Sequence, residues 1–148
     1  MSYNPHYPLD NNPHIYQGFT LGQIPNGHVG IDWDVPVGTI VRAILDGIVM
    51  WAVQDSKVFG KYVTILHNDG HISIYAHLSK ILVHKGDVVE GGTPIGLSGG
   101  AVGADGAGQS TGWHLHLEVR TPGHFDHARF NINPIEYIES YMVGGEHE

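Results

Sequence analysis

The 148-residue chain contains no cysteine and only seven lysine and arginine residues. Without cysteine there are no disulfides, and no thiolate can act as a nucleophile, so histidine and carboxylate remain as ligands for any metal. Fifteen aspartate and glutamate residues give a formal net charge of −8, which argues against nucleic acid or an anionic membrane as the main partner. No apolar run is long enough to span a membrane, and residues 1–21 carry no signal-peptide pattern.

What the chain does contain points to a mostly β protein of one domain. Twenty-one glycines and eight prolines predict many turns between short strands. We expect residues 1–14 to form a polar arm, either laid over the surface or disordered, residues 15–143 to form the domain, and residues 144–148 to be a tail. The sequence Asn133-Pro134-Ile135-Glu136 predicts the start of a short helix that ends near Met142.

Turn signals divide the middle of the chain into strand pairs. Residues 36–53 predict a strand, a turn and a second strand, and residues 60–78 predict another hairpin around Asn68-Asp69-Gly70. Residues 85–96 repeat the pattern of residues 35–47, since each has a turn glycine, a valine three residues later, and then a second turn. We interpret this as a weak internal repeat, typical of two similar hairpin motifs that pair in one barrel-like sheet.

The most informative stretch is Ser110-Thr111-Gly112-Trp113-His114-Leu115-His116-Leu117-Glu118. Its second half alternates, so that His114, His116 and Glu118 lie on one face of a predicted strand and the leucines on the other. Two imidazoles directed to one point suit a metal or a proton-transfer site. Two surface histidines on a half-buried strand would give the same pattern, so the pair needs support from elsewhere in the chain.

Two earlier stretches supply that support. Read as a strand, residues 27–33 place His28, Gly30 and Asp32 on one face, with the glycine leaving an open notch for a metal. His77 ends the polar face of another predicted strand. Together these positions offer one carboxylate and four imidazoles, enough for three zinc ligands, an open position for water, and further groups for proton transfer. The spacing alone leaves open which histidine of the His114-Leu115-His116 pair binds the metal.

These motifs resemble the lysostaphin/LytM-type zinc metallopeptidases, a family of peptidoglycan endopeptidases. The resemblance covers residues 15–142 and implies an antiparallel two-sheet β fold with a groove over the metal, similar to a duplicated biotinyl-lipoyl-like hybrid motif. It is carried, in chain order, by His28-x-Gly30-x-Asp32, Pro36-x-Gly38-Thr39, Tyr75-Ala76-His77-Leu78-Ser79 and Ser110-Thr111-Gly112-Trp113-His114-Leu115-His116.

The resemblance also implies a role for each site residue. His28, Asp32 and His116 would be the Zn²⁺ ligands, and His77 and His114 the pair that orients or deprotonates water and stabilises the oxyanion. The sequence departs from the family at Trp113, where proline is usual, and at Leu117, where an aromatic residue is usual. The loop of residues 101–109 is also longer and richer in glycine. We expect these departures to affect the groove wall, and therefore substrate preference, rather than the metal.

The function that the resemblance implies is zinc-dependent hydrolysis of peptide bonds in bacterial peptidoglycan, in the stem or the cross-bridge. The bond would be a glycine bridge or a D-alanyl link, and the enzyme, which we expect to be a monomer, would act on the cell wall outside the cytoplasm. A phage-encoded lysin fits, as does an enzyme excised from a larger protein. The alternative is a non-catalytic peptidoglycan-binding or hydrolase-activating module of the same fold, which the complete set of five residues disfavours.

Two further patterns are disfavoured by their context. Gly96-Leu97-Ser98-Gly99-Gly100 matches a serine-nucleophile motif, but a glycine-rich loop follows it where that motif requires a helix. A lipoyl- or biotin-carrier domain would need a lysine at a hairpin tip. The nearest candidate, Lys61, falls at the start of a predicted strand.

Overall fold

The structure, a computed structural model, describes residues 3–142. Within these residues the chain forms nine β-strands followed by one short helix. The described helix is too short to cross a membrane. The elements are β1 (Ile15–Gln17), β2 (Ile31–Trp33), β3 (Ile40–Arg42), β4 (Gly47–Val53), β5 (Lys61–His67), β6 (Ile72–Ile81), β7 (Val88–Val89), β8 (Pro94–Ser98), β9 (Leu115–Arg120) and α1 (Pro134–Ser140).

All strand pairs are antiparallel, and the longest strand, β6, pairs with three others, β5, β8 and β9. The main path runs β1-β2-β9-β6-β5-β4-β7, while β3 pairs with β8, which joins β6. The first half of β6 pairs with β9 and its last residues pair with β8. The predicted mostly β, antiparallel fold is therefore confirmed, and β6 joins the main path and the β3–β8 pair into one hydrogen-bonded network.

The internal repeat explains the cross-pairing of the strands. Gly38 and Gly86 occupy equivalent turns with φ of 92° and 93°, a backbone conformation that glycine adopts without strain. Each copy then pairs with the other, because β3 pairs with β8 and β4 with β7. The strands predicted within residues 36–53 exist but do not form a hairpin with each other, whereas the hairpin of β5 and β6 forms as predicted.

The N-terminal segment packs along the outside of this sheet. The carbonyl of Pro8 accepts a hydrogen bond from the Arg42 N–H, and the His6 N–H donates to the Ile44 carbonyl. Leu9 is buried and belongs to the hydrophobic core. The largest fully buried side chains of that core come from six strands, the segment between β3 and β4, and α1: Tyr75, Ile44, Leu45, Ile65, Leu78, Ile95, Leu115, Leu117, Ile138, Val41, Val49 and Val63.

Helix α1 begins at the predicted position. The Asn133 side chain accepts hydrogen bonds from the Ile135 and Glu136 N–H groups, and Pro134 occupies the first turn, where its missing N–H is not needed. The hydroxyls of Tyr137 and Tyr141 donate to the Asp69 carboxylate in the turn between β5 and β6. The helix ends at Ser140 rather than near Met142, and the predicted tail at residues 144–148 lies outside the described residues.

A buried histidine lies close to this turn. The His67 Nδ1 donates to the Asp46 carbonyl, and Nε2 is hydrogen-bonded to the Ser73 hydroxyl. Burial lowers the pKa of His67 to about 4, although the Asp46 carbonyl acts in the opposite direction. The side chain is therefore neutral in the folded protein near pH 7 and makes a structural link between strands.

We expect His67 to make the fold less stable in weak acid. An unfolded histidine takes up a proton below about pH 6.5, whereas folded His67 resists protonation down to about pH 4, so stability falls as pH decreases between these values. Chemical unfolding at pH 7 and pH 5 should show that the stability lost is smaller in His67→Gln than in wild type by roughly 2 kcal/mol. Equal losses in the two proteins would contradict this assignment.

Candidate metal centre

Pairing of β2 with β9 brings the two most informative stretches together. Asp32 lies directly opposite His116 in this register, and His116 in turn lies opposite Ala76 of β6, next to His77. His28 lies in the loop before β2, because the strand predicted from residue 27 begins only at Ile31. The chain thus gathers residues that are far apart in sequence on one side of the sheet.

Gly30 permits this close approach. A Cβ atom at this position would collide with the Leu117 carbonyl and press against the His116 ring. Any larger residue would push the loop that carries His28 away from β9. The glycine predicted to leave a notch beside the metal therefore makes room for the β9 backbone and the His116 side chain.

His28, Asp32 and His116 form a group whose ligand atoms all lie within 4.8 Å of one another. The His28 Nε2 is 3.4 Å from the Asp32 Oδ2, and the His116 Nδ1 is 2.6 Å from the Asp32 Oδ1. Two imidazole nitrogens and one carboxylate oxygen form a common ligand set for zinc, with a position left for water. The structure thus brings together the three residues proposed as ligands.

Backbone carbonyls orient three histidines of the site. A carbonyl oxygen only accepts, so each ring nitrogen that contacts one must carry the hydrogen. The Nδ1 atoms of His28, His77 and His114 donate to the carbonyls of Gly18, Ala107 and Gly112 at 3.2, 2.7 and 2.8 Å. In the neutral form of each ring, the lone pair is then on Nε2.

His77 and His114 lie beside the three candidate ligands. Their rings are 5.0 Å apart between centroids, and the His114 Nε2 is 3.8 Å from the Asp32 Oδ1. All five predicted site residues line one cavity of about 340 Å³, which Phe59 and Thr111 also border. The arrangement can hold a metal ion on one side and accept protons on the other.

Burial and neighbouring charge set the protonation of these groups. Burial lowers the pKa of His77 to about 4, against the effect of the Ala107 carbonyl, so its ring is neutral near pH 7. Burial alone would lower the pKa of His116, but the carboxylates of Asp32 and Glu118 raise it to about 9. Burial alone would raise the pKa of Asp32, yet the hydrogen bond from His116 lowers it overall.

Glu118 completes the site on its buried side and was not among the residues predicted to act there. Its Oε2 accepts from the His116 Nε2 at 2.8 Å, and its Oε1 accepts from Arg120 and Asn131. Outer carboxylates of this kind fix the ring orientation of a ligating histidine. The signal was present in the sequence, since Glu118 shares the alternating face with His116.

The departures from the family pattern have different surroundings. Trp113 is 62% exposed and, with Tyr16 and Asp34, borders a cavity of about 240 Å³ that His114 also lines. Leu117 is fully buried in the core. The expectation that position 117 affects the groove wall is therefore wrong, because the side chain points away from the cavity.

The disfavoured patterns have structural explanations of their own. Ser98 is fully buried, and its hydroxyl donates to the Pro36 carbonyl, so it is no exposed nucleophile. Lys61 begins β5 and contacts Asp105 and the Ser79 carbonyl. Both residues hold neighbouring segments in place.

A buried histidine–carboxylate group with further imidazoles in one open cavity is typical of metal-dependent hydrolases. Residues 26–131 match the family model for peptidase family M23. The chain belongs to this family, and the resemblance seen in the sequence motifs is confirmed.

Curated relatives share most of this chain. It is 42% identical over 123 residues to the peptidoglycan DD-endopeptidase ShyA of Vibrio cholerae, which covers 79% of the chain and 27% of that protein. It is 39% identical over 130 residues to the glycyl-glycine endopeptidase ALE-1 of Staphylococcus capitis, covering 87% and 34%. The chain thus spans about a quarter to a third of these relatives.

Solved structures confirm the fold. The antimicrobial peptidase lysostaphin from Staphylococcus simulans superimposes with a TM-score of 0.75 at 29% identity, covering all of this chain and 58% of that one. A zinc-containing peptidase from Vibrio cholerae gives a TM-score of 0.70 at 31% identity, covering 90% and 39%. The arrangement of strands around the candidate metal centre is therefore that of M23 peptidases.

Glu118→Gln should weaken zinc binding by 10- to 100-fold, because the amide no longer balances charge on the far side of His116. Competition with a chromogenic chelator measures the dissociation constant directly. Glu136→Gln, an exposed change on α1, serves as the control. Wild-type affinity in Glu118→Gln would show that the carboxylate does not support the ligand.

Proposed function

We propose that this chain is a zinc-dependent endopeptidase that hydrolyses peptide bonds in the stem or cross-bridge of bacterial peptidoglycan. The observation that carries the proposal is that five side chains line one cavity. The ligand atoms of three of them lie within 4.8 Å of one another. Membership of family M23 and relatives named as peptidoglycan or glycyl-glycine endopeptidases support the substrate class.

The donor set fits zinc. His28 would bind through Nε2, since its Nδ1 donates to the Gly18 carbonyl, and His116 through Nδ1, since its Nε2 faces Glu118. Asp32 adds one carboxylate oxygen between them. The high pKa of His116 means that a proton leaves this ring when a cation binds. When bound, zinc supplies Lewis acidity that polarises the scissile carbonyl and acidifies water.

The remaining imidazoles supply proton transfer. The Nε2 lone pairs of His77 and His114 border the same cavity as the ligands, and either can accept a proton from water held there. The imidazolium formed in this way can then donate to the developing oxyanion or to the leaving amine. Burial of His77 keeps its ring neutral before the reaction, which is the state that a proton acceptor requires.

The same proposal places the enzyme at the cell wall, outside the cytoplasm. Its partner is peptidoglycan rather than nucleic acid or membrane, which agrees with the net charge of −8. All five site residues come from one chain, and this supports a monomer as the functional unit.

Mass spectrometry of fragments released from purified peptidoglycan tests the proposal and identifies the bond. We expect soluble fragments with new amino termini, and we expect them to disappear when a zinc chelator is added. Walls with glycine bridges and walls with direct D-alanyl links distinguish the two bonds. Zinc-loaded protein that releases nothing from either wall would favour the non-catalytic module.

Two substitutions should separate metal binding from proton transfer. His116→Ala removes a ligand, so zinc and activity should be lost together. His77→Ala should retain stoichiometric zinc while kcat falls by about 10² to 10⁴, the usual contribution of a general base. Metal analysis and fragment release on the same samples measure both effects.

His84→Ala provides a matched control, because the His84 side chain is almost fully exposed. It should behave as wild type in both measurements. Normal cleavage by His77→Ala would overturn the catalytic role of His77, and stoichiometric zinc in His116→Ala would overturn the ligand assignment.

A further inference from the structure

Residues 101–109, which we name the glycine loop, contact the segment that leads into β5. The Lys61 N–H donates to the Gly106 carbonyl at 2.9 Å, and the Gln109 N–H donates to the Val58 carbonyl at 3.0 Å. The Lys61 Nζ also reaches Asp105 at 2.8 Å. The inner part of the loop is thus fixed by backbone hydrogen bonds on either side of Ala107.

This contact requires residues without a Cβ atom. A Cβ at Gly60 would collide with the Gly106 carbonyl and the Gly108 nitrogen, and a Cβ at Gly108 would collide with the Gly60 nitrogen. All three glycines have positive φ, between 59° and 83°. Gly103 also has positive φ, at 74°, but a Cβ there would meet no atom within 4 Å. The inner glycines therefore allow close backbone packing, while Gly103 lies in open space.

The packed part of the loop holds the His77 ring. Ala107 is 1% exposed, and its carbonyl accepts from the His77 Nδ1 at 2.7 Å. The backbone of His77 has a φ of 60°, which is uncommon for a residue with a side chain, and its N–H donates to the Phe59 carbonyl. The two segments that pack together therefore hold the backbone and the ring of the same histidine.

We propose that the glycine loop is a positioning element for His77. Through the Ala107 carbonyl it holds the imidazole in the tautomer with hydrogen on Nδ1 and directs the Nε2 lone pair into the cavity of the metal centre. Ala107, Gly60, Gly106 and Gly108 are then positioning residues that act through His77. The catalytic consequence rests on the proposed function, whereas the tautomer and the packing of the loop do not.

A pair of glycine-to-alanine changes tests this role. Gly60→Ala places a Cβ against the loop and should displace it. Gly103→Ala imposes the same positive-φ strain in open space and is the matched control. Zinc-loaded samples of both variants and wild type would be compared for His77 tautomer by ¹⁵N NMR of the ring nitrogens, with the signals assigned by their loss in His77→Asn. Zinc content, kcat and KM would be measured on the same samples.

Wild type and Gly103→Ala should each show one tautomer with hydrogen on Nδ1. Gly60→Ala should show a mixture of tautomers, with kcat reduced tenfold or more, KM changed less than twofold and zinc stoichiometry retained. A contact that only satisfies a buried polar group would leave the kcat of a folded, zinc-loaded variant unchanged. Gly60→Ala with wild-type tautomer and kcat would overturn the proposal.

Two further measurements decide the matter if Gly60→Ala fails to fold. Lys61→Met removes the ion pair to Asp105 and the contact with the Ser79 carbonyl, and it should shift tautomer and kcat in the same direction by a smaller amount. Hydrogen on Nε2 of His77 in wild type would reject the proposal without any variant. If wild type releases no peptidoglycan fragments, the proposed function fails, while the tautomer measurement still decides the positioning role.

Discussion

The candidate site depends on hydrogen bonds between histidine rings and backbone carbonyls. Three imidazoles give their Nδ1 hydrogen to a carbonyl, and each acceptor lies in a loop rather than in a strand of the sheet. Because an imidazole has two similar nitrogens, an unconstrained ring would present either one to the cavity. The loop carbonyls remove this ambiguity, because each one fixes which ring nitrogen of its histidine faces the cavity. One of the three rings is carried by a strand, and the other two by residues just before β2 and β9. Functional loops supported by a rigid scaffold are common in proteins.

Behind this layer, alternating charges extend into the protein interior. Asp32, His116, Glu118 and Arg120 follow one another with opposite formal charges when His116 is protonated. Buried charges are tolerated when each has a partner of opposite sign and its hydrogen bonds are satisfied. A divalent cation beside Asp32 and His116 can take the place of the His116 proton without leaving either carboxylate unbalanced. A cation and the His116 proton therefore compete for the same buried negative charge.

Much of this could be predicted from sequence, for identifiable reasons. Strict alternation placed His116 and Glu118 on one face, and the capping residues of α1 fixed its start. Alternation did not reveal that both faces of β6 and β9 are buried, because it reports which residues share a face and not what covers that face. The sequence pattern predicts a strand from residue 27, whereas β2 begins at Ile31. The close approach of β9 to Gly30 is visible only in three dimensions. The contact between Ala107 and His77 joins positions 30 residues apart through a backbone carbonyl. Every residue has a backbone carbonyl, so the sequence cannot indicate which one accepts this hydrogen bond.

The cross-pairing of the two repeat copies constrains how the chain can reach this structure. β3 pairs with β8, and β4 with β7. Each copy therefore depends on the other for hydrogen-bond partners of its backbone N–H and C=O groups. An isolated half would expose unpaired N–H and C=O groups along those edges, which is the usual starting point for aggregation. These strand pairs form only when residues about 40 to 60 positions apart in the chain come together, and non-local pairing of this kind slows folding. The duplication therefore produces one cooperative folding unit from two similar sequences rather than two units that could form in turn.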